Sequence, residues 1–250
     1  MEVHAHTHTA RKKWTHYLWE FLMLFLAVFC GFLAENQREH YVEYQRAKEY
    51  AKALLEDLTQ DTLEIKDVIR EDKIVLSCFD SIQSIVHRYP LSQKVPAGFY
   101  YYCNIGTASP AVVWANASIT QITQSGSLRY FVPGLIKKIS SYYSTSQYIT
   151  NLNSIDRGFR ERAMELKSQV LDNYLFSRYS SYPIVEWPNI PDSLMNGLLE
   201  VHDPYKMNEF ANSLENRRAN FSILIRKVYP AALDAAIELM NLLKKEYHLE

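Results

Sequence analysis

The sequence predicts a mainly α-helical fold: an N-terminal transmembrane helix that continues into a long stalk helix, packed in an antiparallel up-down-up helical bundle with a small irregular cap. Three observations lead there. Residues Leu18 to Ala34 form an apolar run broken only by Glu20, close to the N-terminus of an otherwise polar chain. Only 7 of 250 residues are glycine, and no Asn-Gly or Asp-Gly pair lies between alternating apolar runs, which argues against a β-rich fold. Three long stretches place apolar residues at three-four spacing, the period of one helical face.

At about 1.5 Å per residue the apolar run covers roughly 25 Å, slightly short of the roughly 30 Å hydrocarbon core, so its flanks must anchor it. Trp14, Tyr17 and Trp19 suit the headgroup level, and Arg11, Lys12 and Lys13 reach lipid phosphates from just outside them. Membrane lipid is therefore the first expected partner. A cleaved secretory signal is the competing reading, but only Val28-Phe29-Cys30 approaches a small-x-small site, and a lipoprotein signal wants a small residue where Phe29 stands. Glu20 is the one charged residue of the run, and a carboxylate in hydrocarbon costs a few kcal/mol. It lies in the first turn, where it can lean toward the interface or face a partner helix. Trp14, Tyr17, Trp19, Glu20 and Gly31 are the membrane and interface candidates.

Lys and Arg counts near the run tie, with Arg11, Lys12 and Lys13 before it and Arg38, Arg46 and Lys48 after it. The contiguous cluster on the N-side decides the orientation. Residues 1–16 are expected to be a cytoplasmic His-rich tail, 17–35 the transmembrane helix, and 36–250 an exported helical domain.

The formal charge of −1 leaves no basic excess of the kind that binds phosphate backbones, so nucleic acid is not an expected partner. Of the three cysteines, Cys30 falls in the apolar run, and Cys78 and Cys103 allow at most one disulfide beyond it. Buried free thiols are favoured, because the spacing matches neither a metal knuckle nor a redox Cys-x-x-Cys.

From Glu35 to His87 there is no Pro or Gly, and Ala47, Ala51, Leu54, Leu58, Ile65, Val68, Val75, Phe79, Ile82 and Val86 mark one face of a helix. About fifty residues of helix would extend roughly 80 Å, to Tyr89 before Pro90. Residues 89–109 read as a turn-rich cap containing Phe99-Tyr100-Tyr101-Tyr102. Ser109-Pro110 reads as an N-cap and first turn opening a short helix through Gln124. A second long helix starts near Pro133 and carries Leu135, Ile139, Tyr142, Ile149, Leu152, Phe159, Ala163, Leu166, Val170 and Tyr174, with a kink or break expected between Asn151 and Gly158. Residues 179–204 read as irregular chain with a short helical segment around Asp192 to Glu200. Asp203-Pro204 opens the last helix, striped by Met207, Phe210, Leu214, Phe221, Ile225, Val228, Ala232, Ala235, Leu239 and Leu242 and kinked at Pro230. Three such stretches bury their stripes against one another or against other copies.

Two stretches carry a family resemblance. One runs from Trp19-Glu20-Phe21 through the apolar run to Gly31 and Ala34-Glu35-Asn36, and on to Leu54-Leu55-Glu56-Asp57-Leu58. The other is Ile122-Thr123-Gln124-Ser125-Gly126-Ser127-Leu128, followed by Leu135 and Tyr142-Tyr143. Together they resemble an uncharacterised bacterial family of single-span proteins of diderm envelopes, with an acidic residue early in the span and a Ser-Gly-x-Leu turn in an exported helical domain. This chain departs from the pattern in having Trp19 rather than Gly before Glu20, and in its His-rich tail. The resemblance implies an inner-membrane, single-pass topology with a periplasmic C-terminal domain. It implies no chemistry, since the family has no assigned activity.

His4, His6 and His8 alternate and are weak metal candidates, without Cys or carboxylate support beyond Glu2. No His-Glu-x-x-His pair, nucleophile elbow or phosphate loop occurs, so neither a cofactor nor an enzymatic activity is expected. Tyr100, Tyr101, Trp114, Tyr130 and Tyr142 are expected near the cap, either packing helix ends or forming a recognition surface. Two functional expectations result. The first is a non-enzymatic membrane-anchored helical scaffold, self-associating as a homo-oligomer or serving as accessory subunit of another envelope membrane protein. The alternative is a sensor-like ligand-binding bundle that signals through a partner.

Overall fold

The computed structural model describes residues 14–179 and 195–249. The protein is mainly helical, and its contacts divide it into two units, Met1–Glu49 and Tyr50–Glu250. Helix α1, Trp14–Arg88, runs without interruption through both, as the absence of Pro and Gly after Gly31 predicts, and it stops one residue before Tyr89-Pro90.

In the first unit, every side chain from Trp14 to Tyr41 is exposed, including the whole apolar run. The most apolar 18-residue window has a mean hydropathy of 2.0, and none of it is buried. Phe21, Phe25 and Phe29 stack at i, i+4 spacing with ring centroids 6.3 and 6.0 Å apart. Backbone N–H and C=O groups are paired within the helix, the condition that hydrocarbon imposes on any spanning segment.

In the second unit, the rest of α1 buries Ala51, Leu54, Leu58, Ile65, Val68, Val75, Phe79, Ile82 and Val86, the stripe read from the sequence. The region expected to be an irregular cap holds a strand, β1 (Lys94–Pro96), and a helix, α2 (Gly98–Gly106). The short helix expected from Ser109-Pro110 starts later, as α3 (Ala117–Gln124). Ser109 does not cap it, because its hydroxyl donates to the Asp156 carboxylate instead. Gly126 closes α3 at φ +68°, a left-handed conformation that glycine adopts without strain, and a single 3-10 turn, Ser127–Tyr130, comes next.

Helix α4, Pro133–Val170, begins at the expected proline and continues through Asn151 to Gly158 without the expected break. Gly158 costs roughly 1 kcal/mol there against Ala. Burial of Ile149 and Ala163 on either side, with an ion pair from buried Asp156, holds the helix together. Tyr174, assigned to its stripe, lies beyond its end in the short helix α5 (Asn173–Phe176) and is 77% exposed.

Of the helix expected around Asp192 to Glu200, the part before Met195 lies outside the described residues, and the rest contains a strand, β2 (Leu198–Glu200), antiparallel to β1. Asn196-Gly197, with Gly197 at φ +95°, leads into it. Asp203 caps a 3-10 turn at Pro204–Lys206 by accepting the Tyr205 N–H. Helix α6 (Met207–Ile223), a π-helical turn (Leu224–Val228) and helix α7 (Tyr229–Tyr247) then form one path. Pro230 cannot donate a backbone N–H, and the wider π turn takes up the mismatch immediately before it. The extra residue in that turn rotates the next helix about its axis, so α7 buries Ala236 and Leu243 where the regular stripe names Ala235 and Leu242.

The direction of α4 corrects the expected up-down-up order. Asp61 of α1 meets Tyr142 of α4, and further along Asp72 faces Asp156, so the two helices are parallel. Helix α6 and helix α7 run against both, with Gln83 bonded to the Ala211 carbonyl, Arg162 to Glu209, and Lys138 to Glu238. Residues 107–132 make this possible by returning along the bundle. Nine residues, 108–116, reach at most about 30 Å when extended, and the eight of α3 add about 12 Å.

Candidate functional site

Charged residues at apolar-stripe positions make a polar seam inside the bundle. Arg217 comes three positions after Leu214 and four before Phe221, and it is 0% exposed. Its Nε donates to Asp156 Oδ1 at 3.0 Å and its Nη2 to Oδ2 at 2.9 Å. Nη1 also donates to the Gly106 carbonyl, and Nη2 to the Ala108 carbonyl, both at 2.7 Å. The guanidinium lies 5.2 Å from the Phe221 ring centroid and 5.8 Å from that of Phe79. A fork-to-fork ion pair with its remaining donors on carbonyls satisfies a buried arginine.

The end of α2 collects two further cations. Arg160 Nε donates to the Thr107 carbonyl and Lys167 Nζ to the Thr107 hydroxyl, each at 2.8 Å. Cations near the carbonyl end of a helix complement its dipole. Burial depresses the pKa of Lys167, whose ammonium also sits 4.4 Å above the Phe176 ring.

Toward the other end of the seam, Asp61 accepts the Ala115 N–H at 2.8 Å and the Tyr142 hydroxyl at 2.8 Å. Asp57 accepts the Ser118 N–H at 2.9 Å, so carboxylates of α1 serve the N-terminus of α3 in place of a cap from its own sequence. Desolvation raises the Asp61 pKa, and burial beside Asp61 drives the Tyr142 hydroxyl strongly upward.

Between these two nodes lies Asp72, 1% exposed. Neither carboxylate oxygen has a hydrogen-bond partner among the described residues, and neither does the hydroxyl of Tyr229 at the end of the π turn. Desolvation first, then the charges of Asp156 and Glu71, push Asp72 up to about 8, against the pull of Arg217 and Tyr229.

The expected site residues are dispersed. Tyr100 and Tyr101 are 0% exposed, so both are packing residues and neither is on a recognition surface. Tyr100 donates its hydroxyl proton to the Glu200 carbonyl and accepts the Asp172 N–H, tying β2 to the chain after α4. Trp114 meets Tyr142 edge-on at 6.4 Å, beside a cleft of about 10 Å³, the room of roughly one water. Tyr130 belongs elsewhere, stacked under Arg129 near the Phe131–Tyr247 contact at the far end of α7. These aromatics therefore share no cap.

In the first unit, Trp14, Tyr17, Trp19, Glu20 and Gly31 are all exposed, and His16 approaches Glu20 at 3.1 Å. His4, His6 and His8 lie outside the described residues. Among the described residues, no group of three His, Cys, Asp or Glu is placed to hold a metal. Cys78 and Cys103 are buried free thiols rather than a disulfide.

Fold and seam together define a helical-bundle domain whose first helix also carries an exposed apolar segment. Comparison with family models, with curated proteins and with solved structures returned no match.

Proposed function

We propose that the protein is a non-enzymatic, membrane-anchored helical scaffold that self-associates or serves as accessory subunit of a larger envelope complex. One observation carries the reading: an unbroken helix whose apolar run is exposed on every side, with none of its most apolar window buried. Water does not tolerate such a run on an isolated helix, and lipid requires it. In this reading the N-terminus is cytoplasmic, the span lies in a bacterial inner membrane, and residues 36–250 are periplasmic. In the bundle, the buried Arg217 and Asp156 are held by each other, with Arg217 also held by two carbonyls, and Asp72 is closed off from solvent.

Glu20 and the small residue Gly31 are the contact points proposed for a second copy or another membrane protein, since an acid in a span favours a partner that meets it. The test is isolation from membranes at native expression in mild detergent, with mass measurement and identification of co-purifying proteins. Glu20→Gln and Glu20→Leu are expected to change the oligomer mass or the recovered partner. Recovery identical to that of the wild type counts against the reading.

A further inference from the structure

Asp72 is the one part of the seam that packing does not explain. Its neighbours are complete: Asp156 is taken by Arg217 and Ser109, and Arg217 by Asp156 and two carbonyls. The groups facing Asp72 are Glu71 on its own helix, Asp156 on α4, Arg217 on α6 and Tyr229 at the start of α7. A carboxylate placed there lacks a dedicated cation and a hydrogen bond. A neutral carboxylic acid carries no charge to desolvate, so the site suits the protonated form, with Tyr229, 0% exposed, facing it from the start of α7.

We propose that Asp72 is a protonation-controlled latch between α1 and the π-helical turn, closed when it carries a proton and opened when it loses that proton to solvent. The structure gives the latch a place to act. Leu224–Val228 is the only π-helical segment among the described residues, and Tyr229 is its next residue. Ionised Asp72, repelled by Asp156 and desolvated, gains most by admitting water at that turn. The raised Asp72 pKa of about 8 places the change near neutral to mildly alkaline pH. This inference is independent of the membrane reading.

The turn carries its own probe, because Arg226 and Lys227 are exposed trypsin sites whose cleavage requires local opening. The full chain in mild detergent is digested at about pH 6.5 and about pH 9.5, and cuts after these two residues are timed by mass spectrometry beside Asp72→Asn, which cancels the protease's own pH dependence. The ratio of wild-type to variant rate is expected to rise roughly thirty-fold between the two, flattening above about pH 8, as one proton-linked opening requires. A ratio that does not change with pH overturns the latch. Tyr229→Phe provides a second reading that does not depend on Asp72→Asn folding. It removes a donor that favours the ionised acid, so the flattening point is expected to move to higher pH, and an unmoved point overturns the contact between Asp72 and the end of the π turn on which the latch depends. Suppression of the alkaline cleavage by added potassium or calcium also overturns it, by making a cation the occupant instead of a proton.

Discussion

Asp156 and Arg217 meet through two parallel hydrogen bonds of 3.0 and 2.9 Å, with the arginine fully buried and the aspartate side chain 3% exposed. Removing one partner of such a pair strands a charge in the core, typically at a cost of about 3–5 kcal/mol. Arg217→Met is expected to fall in that range, measured by chemical denaturation in detergent. The double variant Arg217→Met/Asp156→Leu is expected to recover a large part of the loss, because it leaves no orphaned charge. Arg217→Lys should behave nearly as badly as Arg217→Met, since a single ammonium cannot serve the carboxylate and two carbonyls together.

The Tyr142 hydroxyl donates to Asp61, whose other oxygen takes the Ala115 N–H. Tyr142→Phe keeps the ring against Trp114 and removes one donor from a buried carboxylate, a loss of about 1–3 kcal/mol. Asp61→Ala is expected to cost more, because it also frees the N–H that fixes the chain entering α3. Hydrogen exchange should show the difference: residues 115–120 gain exchange in Asp61→Ala and stay protected in Tyr142→Phe.

Asp72 sets the slope of stability against pH. Its acid is held at about 8 in the folded chain, against an ordinary value of 3.8, so between these values the folded state holds a proton that the unfolded state has released. Stability from this group is full below the unfolded value, falls by about 1.4 kcal/mol per pH unit as pH rises, and is level again above about 8. Asp72→Asn is expected to remove that slope and to be more stable than the wild type at neutral pH. Denaturation midpoints of the two proteins, taken from acid to alkaline pH, check the sign directly. Parallel curves would show that Asp72 ionises normally.

Much of the fold was legible in the sequence because hydrophobic burial is periodic. The α1 stripe from Ala51 to Val86 is buried as read, and α4 begins at the expected Pro133, while Asp203-Pro204 opens a 3-10 turn that leads into α6 at Met207. The direction of α4 was not legible, since nothing in residues 107–132 announces that the chain returns along the bundle. The two strands escaped notice because three-residue strands hold too few residues to show a period. The seam did leave a trace. Asp61 sits between Leu58 and Ile65, Asp72 between Val68 and Val75, and Arg217 between Leu214 and Phe221, each at a stripe position where burial, not solvent, is the expectation. The one-dimensional pattern could not supply the pairing, because Asp156 and Gly106, both bonded to Arg217, come from distant parts of the chain.

The exposed apolar run makes an insertion prediction. Replacing Phe25 and Leu26 together by Lys places two charges at its centre, each costing about 2.5–3.5 kcal/mol on insertion scales. The double variant is expected to leave the alkali-resistant membrane fraction, whereas the wild type remains there. Retention of the double variant in that fraction would mean that something other than the apolar run holds the protein to lipid.

The three thiols should separate by reactivity. Cys78 and Cys103 are 0% exposed. Burial pushes Cys78 up to about 12 and Cys103 well above its usual value, so almost no thiolate exists at neutral pH. Cys30 is exposed on the helix but lies within the apolar run. A membrane-impermeant maleimide is therefore expected to label none of the three in intact vesicles. A small membrane-permeant maleimide is expected to reach Cys30 alone once detergent replaces the bilayer, and denaturation should release Cys78 and Cys103 together, since both belong to one core cluster with Phe79, Ile82 and Tyr101. Labelling of Cys30 by the impermeant reagent in sealed vesicles would place the run in water and remove the basis of the membrane reading. Labelling of Cys78 ahead of Cys103 under native conditions would show that α2 separates from α1 before the bundle unfolds.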